Sequence, residues 1–194
     1  MFVDNPNIVK NMQNLFDIFY GDSATKETVY FKQGQKLKGD STVVGAHMRV
    51  DWLSYEYIQK NPGSPPGSGQ DNLMDKLVVN PKKGSAFKYI RGHLLNENLG
   101  GKGENENLFP ITANANTQHL KSTEKSVKDW VAPHAEDTKG EKIKKMKHYA
   151  MYEVEAKVGK YRLDNSNVVS NFVNSNFVCK VVLKDESGKV QESF

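Results

Sequence analysis

The stretch 87–131 constrains the fold of this chain most, because three different local patterns follow one another within it. A short run with strand character, residues 87–90, leads into the tripeptide Arg-Gly-His at 91–93. A loop rich in glycine and asparagine comes next, as expected where the backbone must turn. From residue 113 to residue 131, side chains recur at helical spacing. The stretch therefore predicts a strand, a loop and a helix that act as one unit.

The predicted helix carries two polar residues in line with its apolar stripe. Stepping by three or four residues, one face reads Asn116, Leu120, Glu124, Val127 and Val131. Burying an amide or a carboxylate without a partner costs about 2 kcal/mol or more. We interpret the two polar positions as facing a metal ion with its water shell. An ordinary loop and helix, with Thr112 or Asn114 as N-cap, is the alternative interpretation.

The order of these residues resembles the DNA/RNA non-specific endonucleases of the ββα-metal superfamily. The matching segments are Arg91-Gly92-His93, Asn107-Leu108-Phe109-Pro110, Asn116 and Glu124, and the spacings after Asn107 agree. Two positions depart from the family pattern. Ile90 stands where the family usually has aspartate, and Ile111 stands where it often has glutamine.

The resemblance implies a role for each matching residue. His93 would be the general base, and Asn116 would bind a single divalent ion, Mg²⁺ or Mn²⁺. Glu124 would hold the waters of that ion, Arg91 would contact the scissile phosphate, and Asn107 would shape the site. These roles suit the residue types, since imidazole accepts a proton near neutral pH and magnesium keeps most of its waters.

Four further residues are candidates for the same site. His119 lies one helical turn after Asn116, where it would be a second metal ligand or a phosphate contact.

Residues 43–53 alternate as a strand, with Val44, Ala46, Met48, Val50 and Trp52 on one face. The other face carries Arg49, which is either solvated or grips substrate phosphate. Lys82 and Lys83 precede the central strand and would add positive charge for DNA.

The composition is compatible with a nucleic-acid partner but does not require one. The net charge is +4 and the mean hydropathy is −0.66. The single cysteine, Cys179, lies in an apolar run and is expected to be a buried, inert thiol. The first residues lack the pattern of a Sec signal, and no apolar run is long enough to span a membrane.

The remaining segments predict an α+β architecture with a mostly antiparallel sheet. We expect an N-terminal helical segment over 1–25, with a helix at 7–20, and a single nuclease-like domain over 26–194. Residues 60–73 are expected to form a loop. Strands are expected at 28–31, 149–158, 168–184 and 189–194, the last two joined by a hairpin turn. The strand at 149–158 alternates, and its apolar face carries Ala150, Tyr152, Val154, Ala156 and Val158.

The sequence therefore predicts a metal-dependent, sequence-non-specific endonuclease that acts on DNA and also on RNA. Because such an activity endangers its producer, we expect a protein made in the bacterial cytoplasm and exported as a toxin or effector. A contractile injection apparatus or an immunity protein would be its partner. Two alternatives remain: an inactive nuclease fold that serves in binding or packaging, which Ile90 favours, and a structural cargo component docked through the N-terminal helix.

Overall fold

A computed structural model describes residues 28–31, 34–78, 88–132, 148–164, 166 and 170–194. In chain order the strands and helices are β1 (Thr28–Phe31), β2 (Gln35–Lys36), β3 (Val43–Val44), β4 (His47–Leu53), α1 (Tyr55–Lys60), α2 (Asp71–Lys76), β5 (Tyr89–His93), β6 (Leu108–Thr112), α3 (Ala113–His119), α4 (Lys125–Val131), β7 (Tyr149–Arg162), β8 (Phe172–Lys184) and β9 (Val190–Ser193). Short 3₁₀ turns cover Ser68–Gln70, Glu97–Leu99 and Asn105–Asn107.

Five antiparallel strands of the described residues form the main sheet, in the order β1-β4-β7-β8-β9. Two small antiparallel pairs, β2-β3 and β5-β6, lie outside it. The predicted α+β class with a mostly antiparallel sheet is confirmed. Among the described residues, no helix is long and apolar enough to span a membrane.

Alternation along the long central strand β7 gives the main sheet one buried, apolar face. Ala150, Tyr152, Val154 and Ala156 alternate along it and are buried, as the sequence predicted. The strand continues to Arg162, four residues beyond the predicted end, because β8 pairs with it along that length. Helix α4 covers the buried face, and the Trp130 indole donates hydrogen bonds to the carbonyl oxygens of Tyr149 and Lys184.

The strand predicted at 43–53 is divided into β3 and β4, because β3 pairs with β2 whereas β4 joins the main sheet. The predicted alternation also needs one correction. Val44, Met48 and Val50 are buried as expected, but Trp52 is not the next inward residue. Trp52 has a φ of 59°, and the register between β4 and β7 shifts between Val50 and Leu53. Leu53 therefore occupies the core, while the Trp52 ring lies under the Lys184 ammonium.

The stretch 87–131 folds as a hairpin followed by a helix. Strand β5 begins at Tyr89 and ends at His93, so the Arg-Gly-His tripeptide lies inside the strand and not after it. This corrects the predicted end at residue 90. The reason is the pairing with β6, which extends from Tyr89↔Thr112 to His93↔Leu108. Thr112 caps α3, accepting a hydrogen bond from the Ala115 N–H at 3.2 Å.

The helix extends over the predicted length but is interrupted by a π turn at Leu120–Glu124. The Lys125 N–H bonds to the Leu120 carbonyl, five residues back, and this extra residue rotates the helix face. Leu120 is 42% exposed, whereas His119 is 6% exposed. The predicted stripe is therefore wrong at Leu120, and the buried face contains His119, Thr123, Glu124, Val127 and Val131.

Other predicted segments differ in part. Residues 60–73 are not a single loop, because the 3₁₀ turn at Ser68–Gln70 and the start of α2 lie within them. The strand expected at 168–184 begins at Phe172. Burial raises the pKa of the half-buried Cys179 thiol to about 11, in keeping with an inert thiol. The segment 1–25, its expected helix, and Lys82 and Lys83 lie outside the described residues.

Candidate functional site

His93 ends strand β5 with its imidazole oriented by a neighbouring loop. Its side chain is largely buried, and Nε2 lies 3.1 Å from the Ser64 carbonyl oxygen. Because a carbonyl oxygen only accepts hydrogen bonds, Nε2 carries the proton and Nδ1 is the free acceptor. Burial lowers the pKa of His93, although the Ser64 carbonyl and Glu97 oppose the shift. His93 is therefore neutral at pH 7 and able to accept a proton.

The loop that carries Ser64 is fixed to the loop that follows His93. The Ser64 N–H donates to the Gly101 carbonyl at 3.1 Å, and its Oγ accepts from the Gly103 N–H at 2.9 Å. An added Cβ on Gly103 would lie 1.9 Å from the Pro65 carbonyl oxygen. The two loops approach so closely that only glycine fits at this position.

Asn116 brings its carboxamide to the strand residue next to His93. A Cβ on Gly92 would lie 3.1 Å from the Asn116 Oδ1 and 2.3 Å from the Ile111 side chain. Ile111 thus packs directly on Gly92, and only glycine lets the strand approach both side chains this closely. Within the described part of the chain, the Asn116 side chain makes no hydrogen bond. The amide oxygen is therefore available to a ligand.

Glu124 is the buried end of a polar network that starts on the sheet. The Tyr152 hydroxyl lies 2.8 Å from the His119 Nε2, and the His119 Nδ1 lies 3.5 Å from a Glu124 carboxylate oxygen. The other carboxylate oxygen accepts a hydrogen bond from the Asn96 amide at 3.0 Å. The π turn makes this network possible, because it places two residues five apart on the same buried face.

The network also determines what His119 does in this structure. One of its ring nitrogens faces Tyr152 and the other faces Glu124, where it makes no hydrogen bond. Its ring also packs edge-on against Phe177. The structure therefore does not bring His119 to the Asn116 oxygen as a second metal ligand, because the π turn moves it to the sheet side of the helix.

Burial shifts the pKa values of this pair in opposite directions. It lowers the pKa of His119 from 6.5 to about 4, since the charged imidazolium is poorly solvated. It raises the pKa of Glu124 from 4.5 to about 7, against the opposing hydrogen bond from Asn96. At pH 5 to 6 the folded pair thus holds one proton, on Glu124. The unfolded pair also holds one proton, but there it is on the histidine.

Replacing Glu124 with glutamine is expected to make the stability depend on pH. Neutral His119 contributes stability above pH 6.5 that is lost as the pH falls through 4. Glu124 contributes stability below pH 4.5 that is lost as the pH rises through 7. In the wild type the two slopes cancel between these limits. From pH 4.5 to 6.5, the free energy of unfolding of E124Q should rise by about 2 kcal/mol relative to wild type.

The measurement is urea unfolding at several pH values in a chelating buffer. The matched variant H119Q should show the opposite slope, because only the Glu124 contribution remains. Three parallel profiles for the wild type and both variants would contradict the coupling between the two side chains.

Asn107 is a structural clamp for the loop that follows His93. Its Oδ1 accepts from the Leu95 N–H at 2.8 Å, and its Nδ2 donates to the carbonyls of Leu95 and Lys102 at 2.9 and 2.8 Å. The side chain is 1% exposed. All of its donors and acceptors are thus turned toward the backbone of the loop, so Asn107 shapes the site without facing a substrate.

Arg91 lies on the same strand as His93, two residues earlier. Its Nη2 donates to the Asp71 carboxylate, which lies at the start of α2. The nitrogen Nε is buried and makes no hydrogen bond within the described residues. An open groove of about 540 Å³ borders this side of the hairpin and is lined in part by Lys88, Tyr89 and Arg91.

Arg49 lies on the opposite side of the main sheet. It pairs with Glu153 across β4 and β7, whereas the adjacent Tyr152 side chain points to His119 on the other face. The Arg49 guanidinium binds Asp51 at 2.9 Å and approaches Glu153 at 3.7 Å. The expectation that Arg49 reaches the same substrate groove is therefore not supported, since strand alternation turns its side chain away.

Two residues of the helix, Asn116 and Glu124, carry oxygen atoms of the kind that bind a hydrated hard cation. The chain offers one free amide oxygen beside Gly92 and one buried carboxylate, Glu124. No cluster of three or more His, Cys, Asp and Glu side chains is present among the described residues. Magnesium is commonly held by one or two protein oxygens and keeps several waters, so this donor set fits it.

Several residues at the site were not predicted from the sequence. Ser64 orients His93, Asn96 binds Glu124, and Asp71 binds Arg91. Tyr152 was predicted as a core residue only. The signals were weak: Ser64 lies in a Pro- and Gly-rich stretch, and Asn96 is one of several asparagines in its loop. Only the contacts between distant segments distinguish these residues from their neighbours.

Comparison with protein families gives one match. Residues 69–144 match the family model described as DNA/RNA non-specific endonuclease. The matched segment contains the hairpin, the loop clamped by Asn107 and the helix that carries Asn116 and Glu124. Neither the curated proteins nor the solved structures gave a match.

Proposed function

Because this chain carries a domain of the DNA/RNA non-specific endonuclease family over residues 69–144, we propose that it hydrolyses phosphodiester bonds of DNA and RNA with a divalent metal ion. The observation that carries this proposal is the arrangement at the end of β5. A neutral histidine with a free Nδ1 follows Gly92, and the Asn116 amide oxygen, which makes no hydrogen bond to a described residue, lies close to that glycine.

Each residue has a task in the proposed reaction. His93 Nδ1 takes the proton of the attacking water, while the Ser64 carbonyl keeps the imidazole in the required tautomer. Asn116 would hold the ion, and Glu124 would accept hydrogen bonds from its waters. A bound Mg²⁺ supplies a Lewis acid for the phosphate and the leaving oxygen. Arg91 neutralises charge on the scissile phosphate.

The two departures from the family pattern are compatible with activity. Ile90 and Ile111 face each other across the hairpin, so an apolar pair occupies both positions at once. Arg91 has Asp71 as its carboxylate partner, and His93 has the Ser64 carbonyl. The residues that the reaction needs are thus held without an aspartate at position 90. This favours an active enzyme over an inactive binding or cargo protein.

The decisive experiment measures plasmid and RNA degradation by the purified protein with Mg²⁺, with Mn²⁺ and with a chelator. We expect degradation with either metal and none with the chelator. N116A should raise the metal concentration needed for half-maximal rate by about 10-fold to 100-fold. N114A is the matched control, since Asn114 is exposed on the same helix. Absence of degradation with every metal tested would contradict the proposed nuclease activity.

We also propose that the activity serves an exported toxin or effector. The support is chemical: a nuclease without sequence preference attacks the nucleic acid of the cell that makes it. An immunity protein or an injection apparatus would protect the producer. Expression in a bacterial cytoplasm should arrest growth, and H93A should restore it. Equal growth with both proteins would contradict a toxic role.

A further inference from the structure

The hairpin itself offers little to orient the Arg91 side chain. Its neighbours Ile90 and Gly92 carry no polar side chain, and the residue opposite it on β6 is Pro110. The ionic partner comes instead from helix α2, 20 residues earlier in the chain, where Asp71 binds Nη2. Because Nε is buried without a hydrogen bond, this carboxylate is the contact that fixes the guanidinium in the described structure.

Asp71 is itself held in place by the residue before it. Gln70 is fully buried, and its Nε2 donates to the Leu108 carbonyl at 2.9 Å. The same nitrogen lies 3.2 Å from the Val43 carbonyl and 3.3 Å from the Asn105 carbonyl. Leu108 pairs with His93 across the hairpin. The start of α2 is thereby anchored to the strand that faces the proposed general base.

The Asp71–Arg91 pair is poorly suited to stabilising the fold. The Asp71 side chain is 51% exposed and that of Arg91 is 25% exposed, and ion pairs this accessible to water contribute little to stability. An arginine held in one rotamer, by contrast, loses little further entropy when a phosphate binds. Nη1 makes no hydrogen bond to a described residue, so the guanidinium keeps a donor for an anion.

We propose that Asp71 is a positioning residue, which holds the Arg91 guanidinium ready for the scissile phosphate. This inference rests on the proposed nuclease function and deepens it. Asp71 acts through Arg91 and does not touch the substrate. Removing its charge therefore has two separable consequences. The rate of cleavage falls because Arg91 becomes mobile. Substrate binding stays as tight as before or becomes tighter, since a negative charge near a polyanion is lost.

The test is a double-mutant cycle with D71N, R91Q and the double variant, with cleavage of a defined duplex as the reaction. D71N should lower kcat by about tenfold and leave KM unchanged or lower. In the R91Q background, D71N should change kcat by less than about twofold, because Asp71 acts only through Arg91. D51N is the matched control, since Asp51 pairs with an arginine in the same way but on the opposite side of the main sheet. It should change neither value by more than about twofold.

A second readout does not depend on activity. The Arg91 Nε–H resonance, assigned by its absence in R91Q, should be sharp in the wild type and D51N and broadened in D71N. A higher kcat/KM in D71N would overturn the proposal, because Asp71 would then compete with phosphate. An unchanged Arg91 resonance in D71N, or an equal loss of kcat in the R91Q background, would also overturn it. An inactive wild type would refute the nuclease function, and the resonance would still decide whether Asp71 orders Arg91.

Discussion

Replacing His93 with alanine is expected to lower kcat for DNA cleavage by about two to four orders of magnitude. The variant removes Nδ1, the nitrogen that the Ser64 carbonyl leaves free to accept a proton. Little else replaces it, since the side chain is largely buried and its other nitrogen faces protein. The measurement is the single-turnover rate on a labelled duplex at saturating magnesium, with metal-free binding of the duplex measured in parallel.

H47A is the matched control for this variant. His47 is a half-buried histidine on the outer face of the sheet, where it binds Glu153 at 2.7 Å. Its loss should leave the cleavage rate within about twofold, because it lies across the sheet from the hairpin. If H93A cleaved as fast as H47A, His93 would not be the base. Metal-dependent cleavage by the wild type would then point to a different proton acceptor.

The pH dependence of the wild type gives a further check on the same residue. Burial lowers the pKa of His93 below 6.5, the ordinary value for histidine. The neutral base is therefore present at neutral pH and is lost only at a lower pH. His93 should therefore contribute an acid limb of kcat/KM below pH 6.5, separate from any limb of Glu124, whose pKa burial raises to about 7. The limb of His93 should be missing from the residual activity of H93A. An acid limb that persisted in H93A would belong to another group.

Replacing Asn107 with alanine is expected to destabilise the protein by about 4 kcal/mol. The substitution removes three hydrogen bonds and leaves the Leu95 N–H and two carbonyls without their partner. The site is nearly dry, since Asn107 is 1% exposed and Leu95 is also 1% exposed. Water therefore cannot readily take the place of the amide. Urea unfolding monitored by tryptophan fluorescence measures the change.

The same variant should lose cleavage activity even where it remains folded. The loop that Asn107 clamps begins at Leu94, directly after His93, and includes Asn96, the partner of Glu124. A loosened loop misplaces both groups, and small displacements of catalytic groups cost about 100-fold in rate. N105A is the matched control, because the Asn105 side chain makes only one long hydrogen bond to a described residue, 3.4 Å to the Gly69 carbonyl. A stability equal to that of N105A would contradict the clamp.

Local patterns were enough to predict the unit at the centre of this protein. Strand character, the Gly- and Asn-rich loop and the helical spacing gave the first strand and the helix of 87–131 with an error of a few residues, whereas β6, the second strand of the hairpin, lies within the predicted loop. The roles of His93 as a base and Asn116 as an oxygen ligand came from the resemblance to the non-specific endonucleases. Local patterns predict strands and helices because hydrogen bonding within a helix, and the side-chain period, depend on residues close in sequence.

The tertiary structure decided how those residues are held. The Ser64 carbonyl that selects the tautomer of His93 is 29 residues away in the chain, and Tyr152 is 33 residues from His119. The π turn likewise has no signature in the apolar spacing, which placed Leu120 on the buried face. Packing of the helix on the sheet determines which face is buried. Packing and long-range hydrogen bonds depend on segments that meet only in the folded chain, so a local sequence pattern cannot specify them.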